Sequence, residues 1–234
     1  MSQIKLDDFF RFYKQLPHQV AGVRALEEAM PPELLDRNAE WVQTYRAAGK
    51  QPETAELTNP IAAPYYSQRD SETEHAMRMC FSSSCAMMLE TMRPGTLIGP
   101  NGDDAYLGRL MRYGDTTDPT AHIKALQSFG LQAAFTQKAD FRMIEDQINQ
   151  GIPVPLGFLH NGPATHPGGG GHWLCCVGYT EGTLVVMDPF GESNLVLGGY
   201  INSNGKLLHY SRLNFGPRWE VEGTGSGWAI IANL

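Results

Sequence analysis

The sequence predicts an α+β fold, with helices gathered early and antiparallel strands late. Three observations carry that expectation. Apolar residues recur at helical spacing through about the first 50 residues. Two later helices each have an acidic residue in front and a glycine behind, and each leads into a short apolar strand. Beyond Gly171 strands dominate, and the segments HWLCCVGY and TLVVMD flank the turn T-E-G as a hairpin would.

Leu6, Phe9, Phe10, Tyr13 and Leu16 fall on one helical face, and Pro17 interrupts it. Val20, Val23, Leu26 and Met30 mark a second short helix. Pro31 and Pro32 suit the start of a third, which gathers Leu34, Leu35, Trp41, Val42 and Tyr45 on one side and stops at Gly49. QPETAELTNP then reads as a polar linker, so residues 1–60 form a helical N-terminal extension and residues 61–234 the main domain. In that domain Ser82 to Thr91 reads as a helix of small residues and methionines. Asp118 can cap a helix running to Phe129, with Gly130 behind it. Asp140 can cap another from Phe141 to Gln150, with Gly151 behind it. LQAAFTQ follows the first as a strand and IPVPLGFLH the second. LLHYSRL and GWAIIANL add strands near the end.

Composition removes several function classes. Apolar residues make up 42% and charged residues 18% of the 234, so the chain is not a disordered one. A net charge of −7 argues against nucleic acid as a partner. No apolar run reaches the ~18 residues of a membrane span. The opening MSQIKLDDFFRFYK lacks the basic start, apolar stretch and cleavage site of a secretory signal, so synthesis is expected in the cytoplasm. Four cysteines are too few for a disulfide scaffold. Oligomeric state leaves no signature.

The cysteines separate by position. Cys175 and Cys176 lie inside an apolar strand and read as packing. Cys80 and Cys85 lie at or near a helix start, and the three serines after Cys80 favour caps and turns. A thiol at a helix N-terminus meets free N–H groups and the positive end of the helix dipole, which favour the nucleophilic thiolate. Cys85 is more than one turn further in, beside Ala86 and Met87, so Cys80 is the better nucleophile. On its own, Cys80 would still read as a buried structural thiol.

A nucleophilic cysteine needs an imidazole, and the imidazole needs an orienting acceptor. His172 opens one strand of the hairpin and Asp188 closes the other. If Thr180-Glu181-Gly182 is the loop and Tyr179 faces Thr183, then His172 and Asp188 share a face as diagonal neighbours, Cα atoms roughly 7–8 Å apart. A two-residue loop would put them on opposite faces. The run Gly168–Gly171 reads either as a flexible loop or as a place where a peptide backbone passes close to the imidazole. Asp188-Pro189 with Gly191 forms a tight turn that would hold the carboxylate. An oxyanion hole could use the Cys80 N–H and the amide of Gln68, twelve residues earlier.

Gln68, then Cys80 with Ser84, Ala86 and Met87, then Gly171-His172-Trp173, then Val186-Met187-Asp188-Pro189 resembles the papain-like cysteine peptidases. The pattern is most similar to the double-glycine leader peptidases of bacteriocin exporters and their stand-alone bacterial and phage relatives. It covers about residues 61–234. The resemblance implies a papain-like fold: a helical half carrying the Cys helix, and an antiparallel sheet carrying His and Asp. It implies Cys80 as nucleophile, His172 as general base, Asp188 as orienter and Gln68 as oxyanion donor. Substrate would run past Gly170, Gly171, Trp173 and Phe81. Two departures stand out. Phe81 replaces the glycine usual after the family's cysteine, which would tighten the pocket beside the thiol. The interval from Gln68 to Cys80 is long.

The expected chemistry is acyl transfer without metal or cofactor. The N-terminal segment is similar to stretches beside cell-wall-lytic domains of phage and cyanobacterial proteins. It points to peptidoglycan stem peptides as substrate, and to a phage endolysin that acts at the cell wall. The net charge of −7 does not help binding to an anionic wall. Three alternatives stand beside this. One is a leader-processing peptidase with residues 1–60 as an inhibitory propeptide. Another is a peptide-binding module without activity. The third is a metal site among His160, His166, His172, Cys175 and Cys176, whose spacings fit no common zinc motif.

Overall fold

The computed structural model describes residues 59–233, and the helical extension expected over residues 1–60 lies, but for its last two residues, outside them. The fold is α+β. Helix α1 spans Cys80–Met92, α2 Gly102–Leu110 and α3 Pro119–Ser128. Strand β1 (Ala133–Ala139), helix α4 (Phe141–Asn149) and strand β2 (Val154–Asn161) follow. Strands β3 (Gly168–Tyr179) and β4 (Thr183–Met187) form the hairpin. Then come β5 (Glu192–Ser193), β6 (Tyr200–Asn202), β7 (Leu208–Ser211), helix α5 (Arg212–Trp219) and β8 (Gly227–Ala232). Six strands form one sheet in the order β1-β8-β2-β3-β4-β7, every pair antiparallel. β5 and β6 pair separately.

Local chemistry accounts for the helix ends. Asp118 accepts from the Thr120 N–H at 2.8 Å, and Asp140 from Met143 N–H at 2.8 Å, each covering an orphan donor of a first turn. Helix α1 differs: no side chain caps it, and residues Phe81 to Leu89 are all buried. Its serines, a residue type that favours caps and turns, lie inside the helix and find partners there. Ser82 bonds Thr116 at 2.6 Å, Ser83 donates to Asp103 at 2.6 Å, and Ser84 donates back to the Cys80 carbonyl at 2.8 Å. The strand expected over LLHYSRL is shorter, because Ser211 ends β7 and caps α5 through the Asn214 N–H.

One face of the sheet, with Val154, Leu156, Phe158, Leu174, Cys176, Leu184 and Val186, packs under Ile144 and Ile148 of α4 and Phe215 and Trp219 of α5. α1 packs on β2 and β3. The two halves meet where Phe81 of α1 stacks flat on Trp173 of β3, ring centroids 3.6 Å apart.

Arg218 is fully buried and meets carbonyls rather than a carboxylate. Its guanidinium donates to the carbonyls of Leu195 (2.8 Å), Leu159 (2.9 Å), Asn161 (3.2 Å) and Gly162 (2.6 Å). It thereby ties the end of β2 to the segment after β5. Arg218→Ala leaves these acceptors dry and is expected to cost roughly 3–5 kcal/mol, read as a fall in the urea midpoint at unchanged slope. Arg218→Lys should recover little, since an ammonium lacks the planar fork.

Candidate active site

Cys80 is the first residue of α1, half-buried, and all four cysteines are free. The uncapped helix start leaves its N–H without a side-chain acceptor. The other three thiols are buried. Burial pushes Cys85 and Cys175 far up from the ordinary thiol range and Cys176 to about 12, so they stay protonated.

His172 and Asp188 meet: Nε2 lies 2.7 Å from Asp188 Oδ1, both residues buried. The route to this contact differs from the expected register. The hairpin tip is Glu181-Gly182, with the Thr180 N–H bonded to the Thr183 carbonyl at 2.8 Å and Tyr179 opposite Leu184. That two-residue turn alone would send the two side chains to opposite faces. A bulge corrects it. Cys176 faces Val186 while Gly178 faces Val185, so Val177 is the extra residue. Its carbonyl turns out of the ladder and accepts from the Ile61 N–H at 2.7 Å. The carbonyl of Asn59 lies so close to Gly178 that a Cβ there would sit 2.8 Å from it.

The glycine run is strand, not loop. Gly168 faces Asn161 and Gly171 faces Leu159 across β2 and β3. Only Gly169 needs to be glycine for internal reasons, with φ of 86° and the Asn161 side chain where a Cβ would sit. At Gly170 and Gly171 a Cβ would meet nothing within 4 Å, so the strand face beside His172 is open.

Phe81 and Trp173, expected to contact substrate, are turned inward. Phe81 is 2% exposed and sandwiched between Trp173 and the ring of His122, 3.7 Å away. Trp173 covers Gly157, where a Cβ would sit 2.9 Å from the indole. The Phe81 ring therefore joins the two halves instead of narrowing a pocket beside the thiol. His122 behind it is held neutral by burial, its pKa lowered to about 4, with Nε2 2.9 Å from the Thr116 carbonyl.

Gln68 is 1% exposed and belongs to a segment docked on the Asp188 turn. Its N–H donates to the Pro189 carbonyl (3.0 Å), Tyr65 donates to the Asp188 carbonyl (3.1 Å), and Arg69 Nε donates to the Phe190 carbonyl (2.6 Å). The Gln68 amide donates one N–H to the Ala76 carbonyl at 2.7 Å, and its Oε1 is buried without a partner. The long interval to Cys80 is taken up by a short 3-10 turn, Ala76–Arg78.

The electrostatics favour a charged imidazole. Burial opposes the charge on His172. The carboxylate of Asp188, the nearby Cys80 and hydrogen bonds to both outweigh it and raise the pKa well above the ordinary value. Since Nε2 is bonded to Asp188, Nδ1 is the nitrogen left for Cys80.

Several residues around the pair, His160 apart, carry no signal in the sequence. Ser193 and Tyr210 bond the second oxygen of Asp188. Tyr200, Phe158 and Phe190 stand edge-on to the His172 ring at 5.6, 5.5 and 6.4 Å. The His160 ring lies 5.5 Å from it. Among the described residues no three His, Cys, Asp or Glu side chains converge as metal ligands would.

The model of the Peptidase_C39 like family matches residues 60–197. No curated protein matches the chain. Similar solved structures include the peptidase domain of Streptococcus ComA, a bi-functional ABC transporter of a quorum-sensing pathway. It is 19% identical over 67% of this chain and 91% of that one, with a TM-score of 0.42. A C39-like peptidase from Bacillus anthracis is 14% identical over 76% and 98%, with a TM-score of 0.46. A double glycine motif protease from an AMS/PCAT transporter, in complex with the leader peptide, is 14% identical over 75% and 94%, with a TM-score of 0.43.

Proposed function

We propose that this chain, which belongs to the Peptidase_C39 like family of cysteine peptidases, cleaves peptide bonds with Cys80 as nucleophile, His172 as acid and base, and Asp188 as its orienter. The observation that supports this assignment is one imidazole with a carboxylate at 2.7 Å on Nε2 and the Cys80 side chain as its other polar neighbour. Residues 61–234 form the peptidase domain in this reading, and residues 1–60 an extension.

Each step balances. The Cys80 thiolate attacks the carbonyl carbon, and the oxyanion takes the Cys80 N–H and the second Gln68 amide N–H as donors. The C–N bond breaks as His172 gives the Nδ1 proton to the leaving amine. Water then attacks the thioester and loses a proton to His172, and the thiolate leaves. The open strand at Gly170 and Gly171 gives an extended substrate backbone a place beside the imidazole.

For the substrate, the first reading is the stem peptide of peptidoglycan, cleaved by a wall peptidase of phage or bacterial type; it rests on the sequence of residues 1–60. The second is a leader peptide, favoured by the family match. Incubation with purified peptidoglycan, and separately with a double-glycine leader peptide, followed by mass spectrometry of the products, separates them. Stem-peptide fragments support the first reading. Cleavage of the leader alone overturns it in favour of the second. Iodoacetamide should abolish either cleavage and a chelator neither.

A further inference from the structure

We infer that Ser193 and Tyr210 form a positioning clamp on Asp188, and through it hold the His172 imidazole in register with Cys80. The inference rests on the proposed triad and extends it to two further residues, of which Tyr210 lies beyond the family match that ends at residue 197.

A carboxylate with no solvent contact must find its donors in the protein or lose its charge. Asp188 is such a group, 0% exposed. Oδ1 receives His172 Nε2 at 2.7 Å and the Phe190 N–H at 3.0 Å. Oδ2 faces away from the imidazole and receives the hydroxyls of Ser193 at 3.1 Å and Tyr210 at 3.2 Å. The direction of the second pair is fixed. The Ser193 N–H donates to the Tyr210 oxygen at 2.7 Å, which turns the one phenolic proton towards Asp188. Burial and the Asp188 charge hold the phenol of Tyr210 far above its ordinary range, so it remains a donor.

The parts come from separate strands. Ser193 lies on β5, Tyr210 on β7 opposite Leu184 of β4, and Asp188 just beyond β4. Together they stop rotation of the carboxylate about its Cβ–Cγ bond. Rotation would take Oδ1 off Nε2 and free the ring to turn. Ser193 and Tyr210 touch no reacting atom, so they act through Asp188.

Alkylation of Cys80 by iodoacetamide at pH 6 tests the clamp and needs no substrate, because it reads thiolate held beside an imidazolium. Peptide mapping confirms the modified thiol. Tyr210→Phe keeps the ring that packs near Phe215, and Ser193→Ala removes only a hydroxyl. The double variant should react about tenfold more slowly than the wild type. In an Asp188→Ala background the same two changes should alter the rate less than about twofold, because the clamp has nothing left to hold. Ser193→Thr should restore the rate, and keeps the test usable if Asp188→Ala does not fold. Equal slowing in both backgrounds, or no slowing at unchanged melting temperature, overturns the clamp and leaves the triad standing. A wild-type Cys80 that reacts at pH 6 no faster than free cysteine overturns the triad and the clamp with it.

Discussion

Cys80→Ala should abolish peptide hydrolysis, by roughly 10³-fold or more, whereas Cys85→Ala should keep most of it. The difference is one of address, not of chemistry. Both thiols lie on α1, five residues apart. Cys80 sits at the open end, where unpaired N–H groups collect, and shares the imidazole of His172. Cys85 is 0% exposed, and burial raises its pKa so far that no thiolate forms at working pH. Removing its sulfur leaves a small void, worth about 1–2 kcal/mol of stability and little activity. The measurement is kcat/KM on a cleaved peptide, with the urea midpoint beside it. Equal loss of activity in both variants, both folded, removes Cys80 from the nucleophile's place.

Much of this site could be read from residue types. A cysteine at a helix start, a histidine and an aspartate on one hairpin, and acid-capped helices have local causes, and local causes are written in sequence. What escaped reading is non-local. Nothing in HWLCCVGYTEGT marks Val177 as a bulge, because the bulge depends on the Ile61 N–H, more than a hundred residues earlier. Two errors offset each other there. The loop is one residue shorter than expected and the strand holds one residue more, so His172 and Asp188 share a face after all. Glycine is rare in strands, so residue type leaves the run open to a loop reading, and pairing with β2 overrides that preference. The partners that let Ser82 and Ser83 sit inside a buried helix, Thr116 and Asp103, lie elsewhere in the chain and leave no local mark. Helix α2, GDDAYLGRL, is nine residues long with two glycines, too short and too weakly patterned to announce itself. Ser193 and Tyr210 matter only through Asp188, and no spacing rule connects them to it.

The basic limb of kcat/KM should lie well above the ordinary histidine range, and Asp188→Asn should move it down by a unit or more. The active form in the proposed mechanism is thiolate with imidazolium. It persists until His172 loses its proton, and the buried carboxylate delays that loss. An asparagine can still accept from Nε2–H, so the ring keeps its orientation and part of the activity survives. The charge is gone, however, and burial, the largest influence on His172, then acts against the imidazolium with less to oppose it. Stability follows the same sign. A histidine whose folded-state pKa is raised binds its proton more tightly when folded, so the stabilisation is complete below about 6.5, the unfolded value. It is lost as pH rises through the folded value, to about 10. The wild type should therefore exceed Asp188→Asn in unfolding free energy by most at pH 6, and the gap should close towards pH 10. Urea titrations at the two pH values measure it. A gap that widens with pH would mean that His172 is neutral in the folded protein, and the ion pair would have to be abandoned.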